Sequence, residues 1–303
     1  MPRRSAAGPR RRGPRGRGWR RRWLRTFRRA PASTQIAACV LALATLWAVV
    51  NAIYQVTRKP TELFFPVSGT LYKTPSETWD AYAPLFRRYA TPAISAEFLA
   101  ALAQVEGSGN PVVRTYWRWS LRTNLFEVYR PASSAVGMYQ ITDGTFEEAK
   151  RYCIHDHVVV EEGPWYDWRT CWFNGLYFRV VPSHAIELTA AFLDRAVSVT
   201  LARNRIHRAT PAQKQRLAAL VHLCGTGPGD RYARGGFELA SDLRCGAHDA
   251  RDYIARVGAM ESVFAALAAR EQPFSGPSAR RSGPATPGAA GPQLPVVAPS
   301  TRW

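Results

Sequence analysis

A glutamate closes an apolar helical run, Ser95-Ala-Glu-Phe-Leu-Ala-Ala-Leu-Ala-Gln-Val-Glu106-Gly-Ser-Gly-Asn-Pro111. Phe98, Leu102 and Val105 recur at i, i+4 and i+7, and Leu99 widens the stripe, so this face is expected to be buried. Glu106 follows Leu102 by four residues and Leu99 by seven, which points it the way the apolar residues point. Gly107, Gly109, Asn110 and Pro111 then stop the helix. Desolvation disfavours a charged carboxylate at such a helix end. A carboxyl that keeps its proton near neutral pH is suited to general-acid chemistry.

A second segment, Ser133-Ser-Ala-Val-Gly137-Met-Tyr139-Gln140-Ile141-Thr142, follows about thirty residues on. Together the two segments resemble the catalytic core of lytic transglycosylases that carry a soluble-lytic-transglycosylase, lysozyme-like domain. That family has Glu-Ser-x-x-Asn-Pro, Gly-x-Met-Gln-Ile, Ala-Tyr-Asn-Ala-Gly and Glu-Thr-x-x-Tyr-Val in order. Glu106, Asn110 and Pro111 match the first motif; Gly137, Gln140 and Ile141 match the second. Asp249-Ala-Arg-Asp-Tyr253-Ile254 matches the fourth loosely. The third is altered: Val221-His222-Leu223-Cys224-Gly225-Thr226-Gly227 keeps glycines but has His222 for tyrosine and Leu223 for asparagine. Gly107 replaces the family's serine, and Tyr139 stands where methionine is usual. The resemblance covers roughly residues 78–270.

The resemblance implies a mainly α, lysozyme-like helical catalytic domain acting on peptidoglycan glycan strands. It makes Glu106 the catalytic acid. Gln140 is expected to hydrogen-bond a sugar acetamido or hydroxyl group, Gly137 to allow close backbone approach, and Tyr253 to reach toward Glu106. Ser108 partly stands in for the serine missing at Gly107, His222 supplies the polar tip of the absent tyrosine, and Tyr139 joins the substrate-binding set.

Glycosidases normally use two carboxylates, but no second acid falls beside a recognisable motif. Asp143 is nearest and reads as a helix-start residue. A one-acid mechanism fits better and is what the resemblance implies, giving a 1,6-anhydromuramoyl product without metal or organic cofactor. The alternatives are a lysozyme-type hydrolase and a non-catalytic peptidoglycan-binding scaffold.

The elements that position these residues lie within a 303-residue chain of formal charge +19. Thirteen arginines between Arg3 and Arg29, with no acid among them, account for most of that charge and leave +6 for the rest. Residues 1–32 read as a disordered arm. Residues 33–56 follow as a transmembrane helix, since about 20 apolar residues cross a bilayer core. Only Arg58 and Lys59 follow the span closely, so the positive-inside rule places the arm in the cytoplasm, against anionic inner-membrane lipids, and the domain in the periplasm. No nucleic-acid partner is expected, and partners in the cell envelope are left open. Val50-Asn51-Ala52 loosely resembles a signal cleavage site, but both the basic and the apolar region are too long for a typical signal.

Residues 57–77 are expected to be a linker, 78–272 the catalytic domain, and 273–303 a disordered Pro/Ala-rich tail. Beyond Cys39 in the span, Cys153, Cys171, Cys224 and Cys245 form an even set suited to an oxidising compartment. Of the three pairings, Cys153–Cys171 with Cys224–Cys245 closes the shortest loops, each worth about 3 kcal/mol. His155 and His157 have no further ligands in view and read as part of a solvated loop.

Helices are expected from near Thr145, with Glu148 completing a capping box and Phe146 and Ala149 inward, and from Pro182, with Ile186, Leu193, Val197 and Leu201 inward. Two more follow a Thr210–Gln213 capping box and an Asp249 cap. Aromatic inserts at Tyr116–Tyr129, including Phe126, and at Trp165–Phe178, including Trp168, read mostly as packing. Trp117, Trp119 and Tyr129 are candidate sugar-stacking residues beside the cleft.

Overall fold

A computed structural model of the chain describes residues 26–120, 128–167 and 169–271. The Arg-rich arm before residue 26, Phe126, Trp168 and the tail from residue 272 lie outside them. The architecture is mainly helical. Its described strands form three two-stranded antiparallel hairpins.

Helix α1 (Ala32–Arg58) is apolar and long enough to cross a membrane. It is exposed along its first two thirds, but Asn51 and Gln55 near its end are buried against the rest of the protein. The stretch expected to be a linker is folded. A 3-10 turn (Pro60–Phe64) and a short helix α2 (Phe65–Ser68) form a strap across the domain. Buried Glu62 accepts from Arg114 at 2.7 Å and from the Trp117 indole at 2.8 Å. The Lys59 ammonium donates to the Ser133 and Ala135 carbonyls, each at 3.1 Å. These charges are paired and hydrogen-bonded, as buried charges must be.

Helix α3 (Pro75–Tyr89) starts inside the expected linker, at a capping box between Thr74 and Glu77 with proline at the first position. It packs on α4 (Ala96–Gly107), which Ser95 caps through the Phe98 amide. Of the stripe expected on α4, Phe98, Leu99 and Leu102 are buried and Val105 is half-buried, while Ala100, Ala101 and Ala103 on its other sides are buried too. Alanine lets neighbours approach from all directions, so α4 is a central helix rather than an amphipathic surface one. Its chief partner is α9 (Ala250–Glu271), which buries Tyr253, Val257 and Phe264 on it.

Around this pair lie α5 (Asp143–Ala149), α6 (Pro182–Arg203), α7 (Pro211–Cys224) and α8 (Thr226–Arg234). The α6 stripe, the Thr210–Gln213 capping box and the Asp249 cap are where the spacing puts them. Helix α5 is capped by Thr142, whose hydroxyl accepts from the Thr145 amide, so it begins earlier than the Thr145 start expected. Helix α8 was not expected. Its first turn contains Gly227, Pro228 and Gly229, and a Cβ at Gly229 would lie 2.6 Å from Val221 Cγ2, so a small residue is needed to seat α8 on α7.

Hairpin β1–β2 (Trp117–Trp119, Tyr129–Pro131) pairs Trp117 with Pro131, Arg118 with Arg130 and Trp119 with Tyr129. Hairpin β3–β4 (Tyr152–His155, Val158–Glu161) turns at Asp156 and His157, whose positive φ values of 49° and 65° suit a tight two-residue turn. His157 is thus a turn residue hydrogen-bonded to the Ala90 carbonyl. The smallest hairpin is β5–β6 (Arg244–Cys245, His248–Asp249). The disulfides are Cys153–Cys171 and Cys224–Cys245, and Cys39 is free. In the second aromatic insert, Trp165, Tyr166, Phe173 and Phe178 are at least half exposed rather than packed. Trp172, 40% exposed and stacked on Phe173, and Tyr177, hydrogen-bonded to buried Glu187 at 2.8 Å, are the more packed members.

Candidate active site

Glu106 occupies the last turn of α4, where Ser108 ends the helix in the left-handed conformation, φ 48°. Its side chain is 17% exposed, so it is shielded on most sides but still reachable. Two groups converge on it from distant parts of the chain. The Tyr253 hydroxyl, from the first turns of α9, donates to Oε1. His222 Nε2, from the last turn of α7, stands 3.6 Å from the same oxygen. Both polar contacts fall on Oε1, so Oε2 is the oxygen left to face a reactant.

The electrostatics of the three groups are linked. Burial pushes the Tyr253 phenol well above its ordinary value, and Glu106 adds to the effect, so the phenol stays protonated as a donor. Burial pushes the His222 imidazole down; Glu106 and a hydrogen bond to the Tyr139 backbone oppose this without overcoming it. Glu106 is the one carboxylate acting on either group among the described residues.

The Gly137–Gln140 loop is closed by reciprocal backbone hydrogen bonds between Val136 and Ile141 at 3.2 and 3.1 Å. It lies against the end of α4, and a Cβ at Gly107 would fall 2.9 Å from both Met138 Cα and Met138 O. Glycine there is what lets the two motif segments touch, and a serine would need the loop to move. Arg179 holds the loop from the other side, donating to the Ser134 and Ile141 carbonyls at 3.1 and 2.9 Å and pairing with Asp143 at 2.7 Å. Arg179 is a positioning residue with no signal in the sequence, being a lone arginine in an irregular stretch. Asp143, as expected, is a helix-start residue.

Several expected roles change. Tyr139 is fully buried, its hydroxyl donating to the Leu99 carbonyl at 3.1 Å, so it is a core residue and does not line a substrate site. Gly137 adopts φ 78°, and a Cβ there would lie 2.5 Å from the Arg179 carbonyl, so its close approach is to the protein's own backbone. Gln140 is half-buried and donates from Nε2 to the Gly137 carbonyl at 3.0 Å, which commits its amide nitrogen to the loop and leaves Oε1 as the group to offer. No hydrogen bond joins the Ser108 hydroxyl to Glu106 among the described residues; its carbonyl instead accepts from the Lys73 amide. Asn110 is buried and ties the strap down through the Ser68 carbonyl. Trp117, Trp119 and Tyr129 face the strap and α1, not Glu106.

A cavity of about 690 Å³ lined by Phe98, Arg216, Tyr232, Arg251 and Glu261 does not include Glu106. The convergence of acid, phenol and imidazole, rather than cavity size, marks the candidate site. No group of three or more His, Cys, Asp or Glu is arranged to hold a metal among the described residues.

These features define a helical, disulfide-stapled domain behind an apolar helix, with one glutamate served by a tyrosine and a histidine. Compared with protein-family models the chain matches none, and no curated protein matches it.

Proposed function

We propose that the chain is a membrane-anchored lytic transglycosylase with a lysozyme-like catalytic domain, cleaving the bond between N-acetylmuramic acid and N-acetylglucosamine in peptidoglycan. The observation that carries this reading is the placement of Tyr253 and His222 on one oxygen of Glu106. Protonated Glu106 gives its proton to the glycosidic oxygen as the bond from C1 breaks, and the substrate's own acetamido group stabilises the cationic centre. Glu106, now a carboxylate, keeps the Tyr253 hydrogen bond on Oε1. It then takes the proton from the muramoyl C6 hydroxyl, whose oxygen closes on C1 to give the 1,6-anhydro product. One group serves as acid and then base, and proton transfer of this kind contributes about 10²–10⁴-fold.

A one-acid scheme is favoured over a lysozyme-type hydrolase because the two groups that meet Glu106 are a phenol and an imidazole, neither of them a second carboxylate. The arginines ahead of α1 support a cytoplasmic N-terminus. The two disulfides support an oxidising compartment, the periplasm, for the domain.

The test is digestion of purified peptidoglycan followed by mass spectrometry of the muropeptides. The reading predicts anhydro-muropeptides from the native protein and a loss of at least about a hundredfold in Glu106→Gln. Reducing muramic ends would assign the hydrolase. Retention on insoluble peptidoglycan without turnover would assign a binding scaffold.

A further inference from the structure

Hairpin β1–β2 is fastened side-on to the outer end of α1. The Trp47 and Trp119 rings stack with centroids 6.3 Å apart, and Asn51 Nδ2 donates to the Tyr129 carbonyl at 2.9 Å. About two turns further on, Lys59 and Glu62 hold the base of the hairpin. A groove of about 550 Å³ runs between the two elements, with Trp47, Asn51 and Val56 on one wall and Arg114, Trp117 and Tyr129 on the other.

The height of this hairpin relative to a bilayer follows from counting. About 20 residues cross the hydrocarbon core, and twenty from Ala32, the start of α1, end at Asn51. Asn51 is also the first residue of α1 that the domain buries; with Gln55 it forms the covered face, while Ile53 on another face stays exposed, as Leu46, Val49 and Val50 are before it. Trp47 is four residues inside that boundary, about 6 Å at 1.5 Å per residue. Its partner Trp119 is therefore at the depth where aromatic side chains collect in membranes.

The hairpin's own chemistry agrees. Side chains alternate across a strand, so Trp117, Trp119 and Tyr129 share one face while Arg118 and Arg130, paired directly across the ladder, share the other. Tyr116 and Trp119 are 73% and 69% exposed, a large apolar surface to leave in water.

We propose that hairpin β1–β2 rests in the headgroup layer of the domain-side leaflet, with Tyr116 and Trp119 in the interface and exposed Arg118 on the phosphates of anionic lipids. The inference rests on reading α1 as a membrane span. Its consequence is that the domain is seated on the bilayer at a set height, rather than held on a loose tether.

The test uses the full chain with Cys39→Ser, which removes the free thiol, in nanodiscs of phosphatidylcholine with phosphatidylglycerol. Nitroxide labels are placed at Tyr116→Cys, Ser120→Cys, Leu41→Cys and Val158→Cys, and depth is read from relaxation by oxygen against a water-soluble paramagnet. Labels at 116 and 120 are expected within about 5–10 Å of the phosphate plane, with 41 in hydrocarbon and 158 in water. Labels at 116 and 120 as aqueous as 158, with 41 still in hydrocarbon, overturn the seating and leave the span intact. An aqueous label at 41 overturns the span and the seating with it. Adding Arg118→Glu should move the 116 label toward water in the anionic discs but not in pure phosphatidylcholine. An equal shift in both lipids overturns the phosphate contact.

Discussion

Tyr253 donates its phenolic hydrogen to Glu106 Oε1 across a sequence separation of 147 residues, joining the first turns of α9 to the last turn of α4. The two helices pack more extensively on each other than any other pair in the fold. The position of the acid is thus set by the core itself rather than by a loop, as the two proton transfers proposed for it would require.

Tyr253→Phe keeps the ring that fills the core and removes only the donor. A hydrogen bond to a charged partner is worth about 1.5–3 kcal/mol, so kcat on peptidoglycan should fall roughly ten- to a hundredfold with little change in KM. Steady-state kinetics beside a thermal melt would check this. A similar loss in KM, or a large fall in Tm, would mean that the residue acts through substrate binding or packing instead.

His222 gives a pH dependence. Burial lowers its pKa below the ordinary 6.5 in the folded protein, so the unfolded chain takes up a proton here first as the pH falls. The stability linked to neutral His222 is complete above about pH 6.5 and drains away as the pH drops through that value toward the lower folded pKa. Tm measured from about pH 8 to 5 should decline on the acid side, and His222→Gln should flatten that decline. An unchanged profile in the variant would remove His222 as its source.

Gly107→Ser introduces the residue that the resembled motif carries at this position, yet it should harm this protein. The new Cβ would meet the Met138 backbone at 2.9 Å, and overpacking of this kind costs about 1–3 kcal/mol. Chemical denaturation should report that loss, together with reduced turnover, since the strained contact lies one residue from Glu106. A neutral or stabilising effect would show that the loop yields easily.

The Cys224–Cys245 bridge fastens the end of α7 two residues beyond His222. Cys224→Ala with Cys245→Ala should cost about 3 kcal/mol of stability and lower turnover, because the turn carrying His222 loses its tether. Removing Cys153–Cys171, which staples β3 to the stretch after β4, should cost similar stability with a smaller effect on turnover. Equal effects of the two pairs on turnover would separate His222 from the bridge.

Much of this site was legible in the sequence because helical spacing records which way a side chain faces. The Phe98–Leu102–Val105 stripe aims Glu106, and the Tyr253–Val257–Met260–Phe264 stripe aims Tyr253 inward, although Val105 and Met260 are only partly buried. Spacing does not record what a face meets. Gln140 and Gly137 read as groups for a sugar, yet their nearest partners are the loop's own carbonyl and the Arg179 backbone. Tyr139 looked polar at its tip, and the Leu99 carbonyl within the core satisfies it. The start of α3 carried the same Thr-Pro-x-Glu/Gln signature as the start of α7 and could have been read. The strap could not, because its order depends on buried partners such as Arg114 and Asn110, some 50 and 40 residues away.

The central claim is that Glu106 returns a sugar hydroxyl, and not water, to C1. It is tested most directly by digesting peptidoglycan in water enriched in the heavy oxygen isotope and weighing the muropeptides. The account predicts anhydromuramoyl products that carry no heavy oxygen and that disappear in Glu106→Gln. Muramic acid ends bearing one heavy oxygen atom, or products that persist in the variant, would contradict it.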